Sequence, residues 1–175
     1  MKPTPPLLAL VLVAGALALH GCATSGRQPL SPMPDDDRAD FEVLRSDFNA
    51  GKIRALNQAM KLTVVEADQF WPIYRQYEKD LASVGDRKLE LIREFFAHHQ
   101  AGTLADQNSR DLADRWLRNV QDRLDLWKKY HERISNAVSP VRAAQFLQVE
   151  NQMAIFVDLS IASEMPAVGS SSPRN

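Results

Sequence analysis

Residues 64–100 read VVEADQFWPIYRQYEKDLASVGDRKLELIREFFAHHQ, and their spacing decides the fold. Phe70, Tyr74, Tyr77, Leu81, Val84, Leu91 and Phe95 step by three and four, with Lys88 in the one polar slot of the stripe. That period describes one apolar face of a helix about ten turns long. Thr63 has capping-box spacing to Glu66 and marks the start. Gly102-Thr103 makes the turn that ends it. Within the run, Pro72 removes a backbone donor and presses on the carbonyl of Asp68, so the axis is expected to kink there.

Beyond the turn, Leu112, Trp116, Val120, Leu124, Trp127, Ile134 and Val138 place a second apolar stripe on a helix reaching about Val138. Thr103 with Asp106 offers its cap. Asp106–Arg110, Asp111–Arg115, Asp114–Arg118 and Asp125–Lys129 set an acid four residues before a base, the order that supports a helix. Ser139-Pro140 reads as an N-cap followed by proline at the first helical position, opening a helix that ends near Glu164. Ahead of the quoted stretch, a first helix runs from about Arg38 to Lys61. Asp35, Asp36 and Asp37 open it and Asn49-Ala50-Gly51 weakens its middle. Two helices of about 35 residues on a short turn must lie antiparallel, a hairpin roughly 50 Å long. The fold class is therefore all-α: a long helical hairpin flanked by shorter helices.

The breakers agree. Of ten prolines only Pro72 and Pro140 fall between residues 40 and 165, and of seven glycines only Gly51, Gly85 and Gly102. That leaves too few turns for a sheet protein. The chain has 175 residues, one domain's worth, and 21 basic against 22 acidic side chains leave no basic excess to hold nucleic acid. Outside His20, three histidines remain, and there is no glycine-rich phosphate loop or Gly-x-Ser-x-Gly elbow. Neither an enzyme nor a cofactor is expected.

The flanks speak of export. Lys2 precedes an apolar run from Leu7 to Leu19, about 20 Å as helix and shorter than the roughly 30 Å core of a bilayer, which suits a cleaved signal. Leu19-His20-Gly21-Cys22 resembles the lipobox of bacterial lipoproteins, with His20 where a small residue is usual. The resemblance implies a lipidated Cys22, a signal peptide over 1–21 and, with Ala23 following, a periplasmic body anchored to the outer membrane. Cys22 is the only cysteine, so no intrachain disulfide can form. Residues 22–37 hold Pro29, Pro32 and Pro34 and read as a flexible tether, residues 38–165 as the helical domain, and residues 166–175 as a disordered tail.

Leu62-Thr63-Val64-Val65-Glu66, Phe70-Trp71-Pro72-Ile73-Tyr74 and Ser139-Pro140 with Ala143-Ala144-Gln145-Phe146-Leu147-Gln148-Val149-Glu150 resemble the LTxxQ group of bacterial envelope proteins, the Spy and CpxP type. The resemblance spans roughly residues 40–166, with Glu66 where the name puts glutamine. It implies a bent helical hairpin, often paired as a homodimer, that holds unfolded clients or serves envelope stress signalling. Some members bind metals.

Three functional expectations follow. The first is a chaperone-like or stress-adaptor lipoprotein that binds unfolded clients or an envelope signalling partner. Short helices cover only part of the hairpin's apolar face, so a second protomer or a bound protein is expected to cover the rest. Trp71, Leu89 and Phe96 form a second line about 100° from the main stripe of the long helix, and docking is expected there, or else cover by helix one or four. The second is a metal-binding sensor. His98 and His99 are neighbours pointing about 100° apart, and His131 lies some 40 Å down the next helix, roughly, so only an antiparallel dimer gathers the three. The third is a scaffold with one dedicated partner.

Overall fold

The computed structural model describes residues 35–168. Among them the chain forms four helices and no strand: α1 (Asp35–Met60), α2 (Val64–Ala101), α3 (Asp106–Ala137) and α4 (Pro140–Glu164). The protein is all-α. The signal segment, Cys22, most of the tether and the tail from residue 169 lie outside the described residues. Helix α1 begins at Asp35, so the acidic triplet at the end of the expected tether supplies its first turn.

Two units divide between Ala50 and Gly51. In the first, the helical stretch 35–50 carries a Glu42–Arg45 ion pair one turn apart at 3.5 Å and an exposed Val43. All that follows concerns the second.

Local chemistry sets each boundary there. Helix α1 stops where Lys61 takes a left-handed φ of 44°. Thr63 then caps α2: its hydroxyl accepts from the Glu66 N–H at 3.3 Å while the Glu66 carboxylate accepts from the Thr63 N–H at 2.8 Å. Gly102 ends α2 at φ 64°, giving its N–H to the carbonyls of His98 and His99. Helix α3 departs from expectation at its start. Its N-cap is Ala105, with no side-chain bond, because the Thr103 hydroxyl is engaged by His98 Nδ1 at 2.9 Å. Ser139 caps α4 by accepting from the Arg142 N–H at 3.3 Å, with Pro140 at the first position. Pro72 sits inside α2 on its exposed side and leaves the Asp68 carbonyl without a helical donor, the condition for a bend.

Helices α2 and α3 form the antiparallel hairpin. Asp80–Lys129 at 2.9 Å, Arg87–Asp122 at 2.8 Å and Glu94–Arg115 at 2.6 Å join them at seven-residue intervals on both arms of the hairpin. The exposed Arg87–Asp122 pair is worth under about 1 kcal/mol, and Glu94–Arg115 is mostly buried, but three in step fix the register. The main core lies toward the open end, where Leu56 and Met60 of α1, Phe70, Tyr74 and Tyr77 of α2, Tyr130 and Ile134 of α3, and Phe146 of α4 are buried. A smaller core of Leu91, Phe95 and Leu112 lies near the turn.

The α2 stripe is buried as expected, with Leu81 half-buried. The α3 stripe requires correction in its middle. Val120 and Leu124 are exposed, and the inward face instead runs through Leu112, Asn119, Leu126, Tyr130 and Ile134. Asn119 takes that place because its amide donates to the Val84 carbonyl at 2.9 Å, giving the buried side chain a partner where α2 and α3 meet.

Candidate functional site

All four helices converge on one buried polar cluster. Lys52 of α1 and Glu150 of α4 are each 3% exposed, with the ammonium 3.3 Å from Glu150 Oε1 and 3.6 Å from Glu78 Oε1 of α2. The same ammonium lies 5.7 Å from the ring centre of Tyr74 and 5.6 Å from that of Tyr77, within cation–π range. Tyr77 donates to Glu150 Oε2 at 2.7 Å and accepts from Trp127 Nε1 of α3 at 3.0 Å, while Tyr74 donates to Glu78 at 3.0 Å. Burial pushes the Glu150 carboxyl above the usual range, against the opposing pull of Lys52 and the Tyr77 hydrogen bond. Burial beside these carboxylates also raises both tyrosines. The cluster is closed on itself and locks the helices together.

Two further ties hold α4. The Arg142 guanidinium forks onto Glu66 at 2.8 and 3.1 Å and also donates to the Met60 carbonyl, so one side chain joins the ends of α1, α2 and α4. Those hydrogen bonds, from Arg142 first and Thr63 next, hold the Glu66 carboxyl down at about 2. Farther along, Asp158 receives Lys88 of α2 and Arg123 of α3, the latter at 3.0 Å. Burial raises that carboxyl, and the hydrogen bonds outweigh burial and lower it. The polar slot left by Lys88 in the α2 stripe is thus filled by a charge from α4.

The consequence appears on the other side of α4. Of its four charged residues, Arg142, Glu150 and Asp158 are engaged inward, leaving only Glu164 at the end exposed. Between Val141 and Ser163 every exposed residue is uncharged: Val141, Ala144, Gln148, Asn151, Gln152, Ile155, Phe156, Leu159, Ala162 and Ser163. Val141, Ile155, Phe156 and Leu159 are 66, 57, 55 and 67% exposed. The exposed positions of α3, by contrast, carry Arg110, Asp114, Arg118, Asp122, Asp125, Lys128, Lys129, Glu132 and Arg133. Sequence reading passed over this face because its apolar residues are diluted by amides.

Trp71, Leu89 and Phe96 are each half-buried. Trp71 packs edge-on to Phe70 and Tyr74 in the main core, with ring centres 5.0 and 5.6 Å apart. Phe96 joins the smaller core beside Phe95, and Leu89 belongs to neither. The structure therefore brings the three onto one flank without gathering them into a patch: 25 residues, about 37 Å of helix, separate the outer two. His98 is engaged with Thr103, His99 stacks on Phe95 with ring centres 6.1 Å apart, and His131 is half-buried on α3. Among the described residues no three His, Cys, Asp or Glu side chains are grouped to hold a metal, and no helix is long and apolar enough to cross a membrane.

No family model, no curated protein and no solved structure matches the chain.

Proposed function

We propose that this chain is an envelope lipoprotein whose helical body binds other proteins, as a chaperone-like holdase or stress adaptor, and carries out no catalysis. One observation carries the binding reading: the outer face of α4 exposes ten positions without a charge while the helix turns three charged side chains inward. A face that only meets water has no reason to be so composed, since charged residues are the ordinary occupants of exposed helical positions. Aliphatic and aromatic side chains interleaved with amides offer dispersion contact and adaptable hydrogen bonds to a partner's backbone. The export signal, the Cys22 lipobox and the likeness to the LTxxQ group support the envelope setting and the holdase role.

Suppression of aggregation of a reduced, unfolding client at stoichiometric ratios tests this. The chain is expected to suppress it, and Phe156→Glu to weaken that effect severalfold without loss of helical signal. A single dominant partner with no suppression assigns the scaffold role instead. Neither suppression nor any partner overturns the reading.

A further inference from the structure

Resting on the reading of Cys22 as a lipid anchor and going beyond client binding, we infer that the outer face of α4, widened by α3, lies against the bilayer that holds the anchor. Geometry makes the face broad. Helices α3 and α4 are joined through Val138 and Ser139 alone and run antiparallel, and Arg123 meets Asp158 where they touch, at 3.0 Å. Val120 and Leu124 lie three residues before and one after Arg123. Ile155 and Leu159 lie three before and one after Asp158. Those steps turn a side chain about 60–100° from the contact, and in an antiparallel pair both turns go to the same side. All four residues are exposed, so they share one apolar surface two helices wide, which Leu117 and Phe156 extend. Asn119, through which α3 meets α2, is turned to the other side of Arg123, so the surface faces away from α2.

Charge names the occupant first. On α4 the polar members of this surface include the amides of Gln148, Asn151 and Gln152, with no ion to desolvate on entering a headgroup layer. Apolar side chains flanked by uncharged polar ones suit the boundary between headgroups and acyl chains, into which an amphipathic face sinks about 5–10 Å.

Reach is the second reason. Cys22 lies 13 residues before Asp35, at most about 45 Å of chain, and the 16 helical residues to Gly51 add about 24 Å. The anchoring leaflet is therefore always within about 70 Å of Gly51, whereas a diffusing protein is met only by collision. A short tether supplies an effective concentration of about millimolar, so a contact too weak to recruit a free protein is made by one already held there.

The test uses the full lipidated chain in phosphatidylcholine vesicles carrying a doxyl-labelled lipid. Because the anchor occupies the only native cysteine, an introduced cysteine is the only free thiol and takes a fluorescent probe. A probe at Ile155→Cys is expected to be quenched severalfold more than one at Glu90→Cys, which lies in the charged groove between α2 and α3. The quenching is expected to persist at about 1 M salt, where the screening length is about 3 Å. Leu159→Glu is expected to abolish it at unchanged helical signal and melting, as an exposed position allows. A chain without an acyl label, a probe at 155 as wet as one at 90, or quenching lost in salt overturns the inference. If the 155 probe stays wet on vesicles while Phe156→Glu still weakens client protection, the face serves proteins: the proposed function stands and the membrane contact falls. If the probe is quenched while Phe156→Glu leaves client protection intact, the membrane contact stands and the holdase reading of this face falls.

Discussion

Replacing Lys52 by methionine keeps most of the packing against Tyr74 and Tyr77 and removes only the ammonium. Glu150 is then a buried carboxylate whose Oε1 accepts no hydrogen bond and has lost the positive charge 3.3 Å away. Breaking one side of a buried pair costs about 3–5 kcal/mol. Part of that can be escaped by taking up a proton, and this gives the variant its pH signature. Glu150 holds its proton more tightly folded than unfolded, so the native state binds more protons in the window above the ordinary carboxylate value of 4.5. Stability therefore falls as pH rises through that window, by up to about 1.4 kcal/mol per pH unit. Lys52 opposes this effect in the parent chain, and without it the window widens upward. Urea unfolding at pH 5 and pH 8 should show Lys52→Met less stable at both, with the larger deficit at pH 8. Pairing it with Glu150→Gln, which can still accept from Tyr77, should recover most of the loss, since a neutral pair has no ion to desolvate. A deficit at pH 8 below about 1 kcal/mol, or one that grows toward acid, would refute the argument that the cluster is closed and dry.

The two carboxyls held at about 2, Glu66 by Arg142 and Asp80 by Lys129 and Tyr130, act with the opposite sign: their contribution is present above the unfolded values of 4.5 and 3.8 and is lost as pH falls toward 2. Glu66→Gln should flatten that acid limb of the stability profile in denaturant titrations, and an unchanged limb would show that the Arg142 fork does not persist in solution. On α3, Asn119→Ala should cost about 1 kcal/mol by removing the buried hydrogen bond to the Val84 carbonyl, whereas Leu124→Lys should stay within about 0.5 kcal/mol. Thermal or urea melts that reverse this order would restore the face through Val120 and Leu124.

Helix number and type were legible, and so were the ends that rest on local chemistry, though the start of α3 at Ala105 was not. Thr63 with Glu66, Gly102, and Ser139 with Pro140 are all decided within four residues, and the structure begins or ends its helices there. The α2 stripe was legible because its inward residues are large and apolar. The α3 stripe misled where an inward position is an amide: Asn119 looks like a surface residue, and Val120 beside it like a core one. What settles the matter is the Val84 carbonyl, 35 residues away. The hairpin register was hidden for a related reason. Acids and bases four apart on one helix drew the eye. Of those spacings Asp111–Arg115 does form, at 3.2 Å, while Lys129 reaches across to Asp80 rather than back to Asp125.

The α4 face shows how a helix can be read inside out. Periodicity reports that two faces differ, and composition is then used to say which one is wet. On α4 that rule holds only in part: Ala143, Phe146 and Val149 are buried as composition expects, but Glu150 is buried with them, Arg142 and Asp158 turn to partners on other helices, and Ile155, Phe156 and Leu159 point out. The deciding signal was in the sequence, though on other helices. Lys88 interrupts an otherwise apolar stripe, and a lone base on an inward face cannot stay unpaired without a cost of several kcal/mol. An acid from some distant segment must come to it, and any segment that sends charges inward leaves its outer face short of them. Asp158 answers Lys88 from 70 residues away, and Glu150 answers Lys52 in the same manner. The bare outer surface of α4 is thus the counterpart of the charges it turns toward α1, α2 and α3.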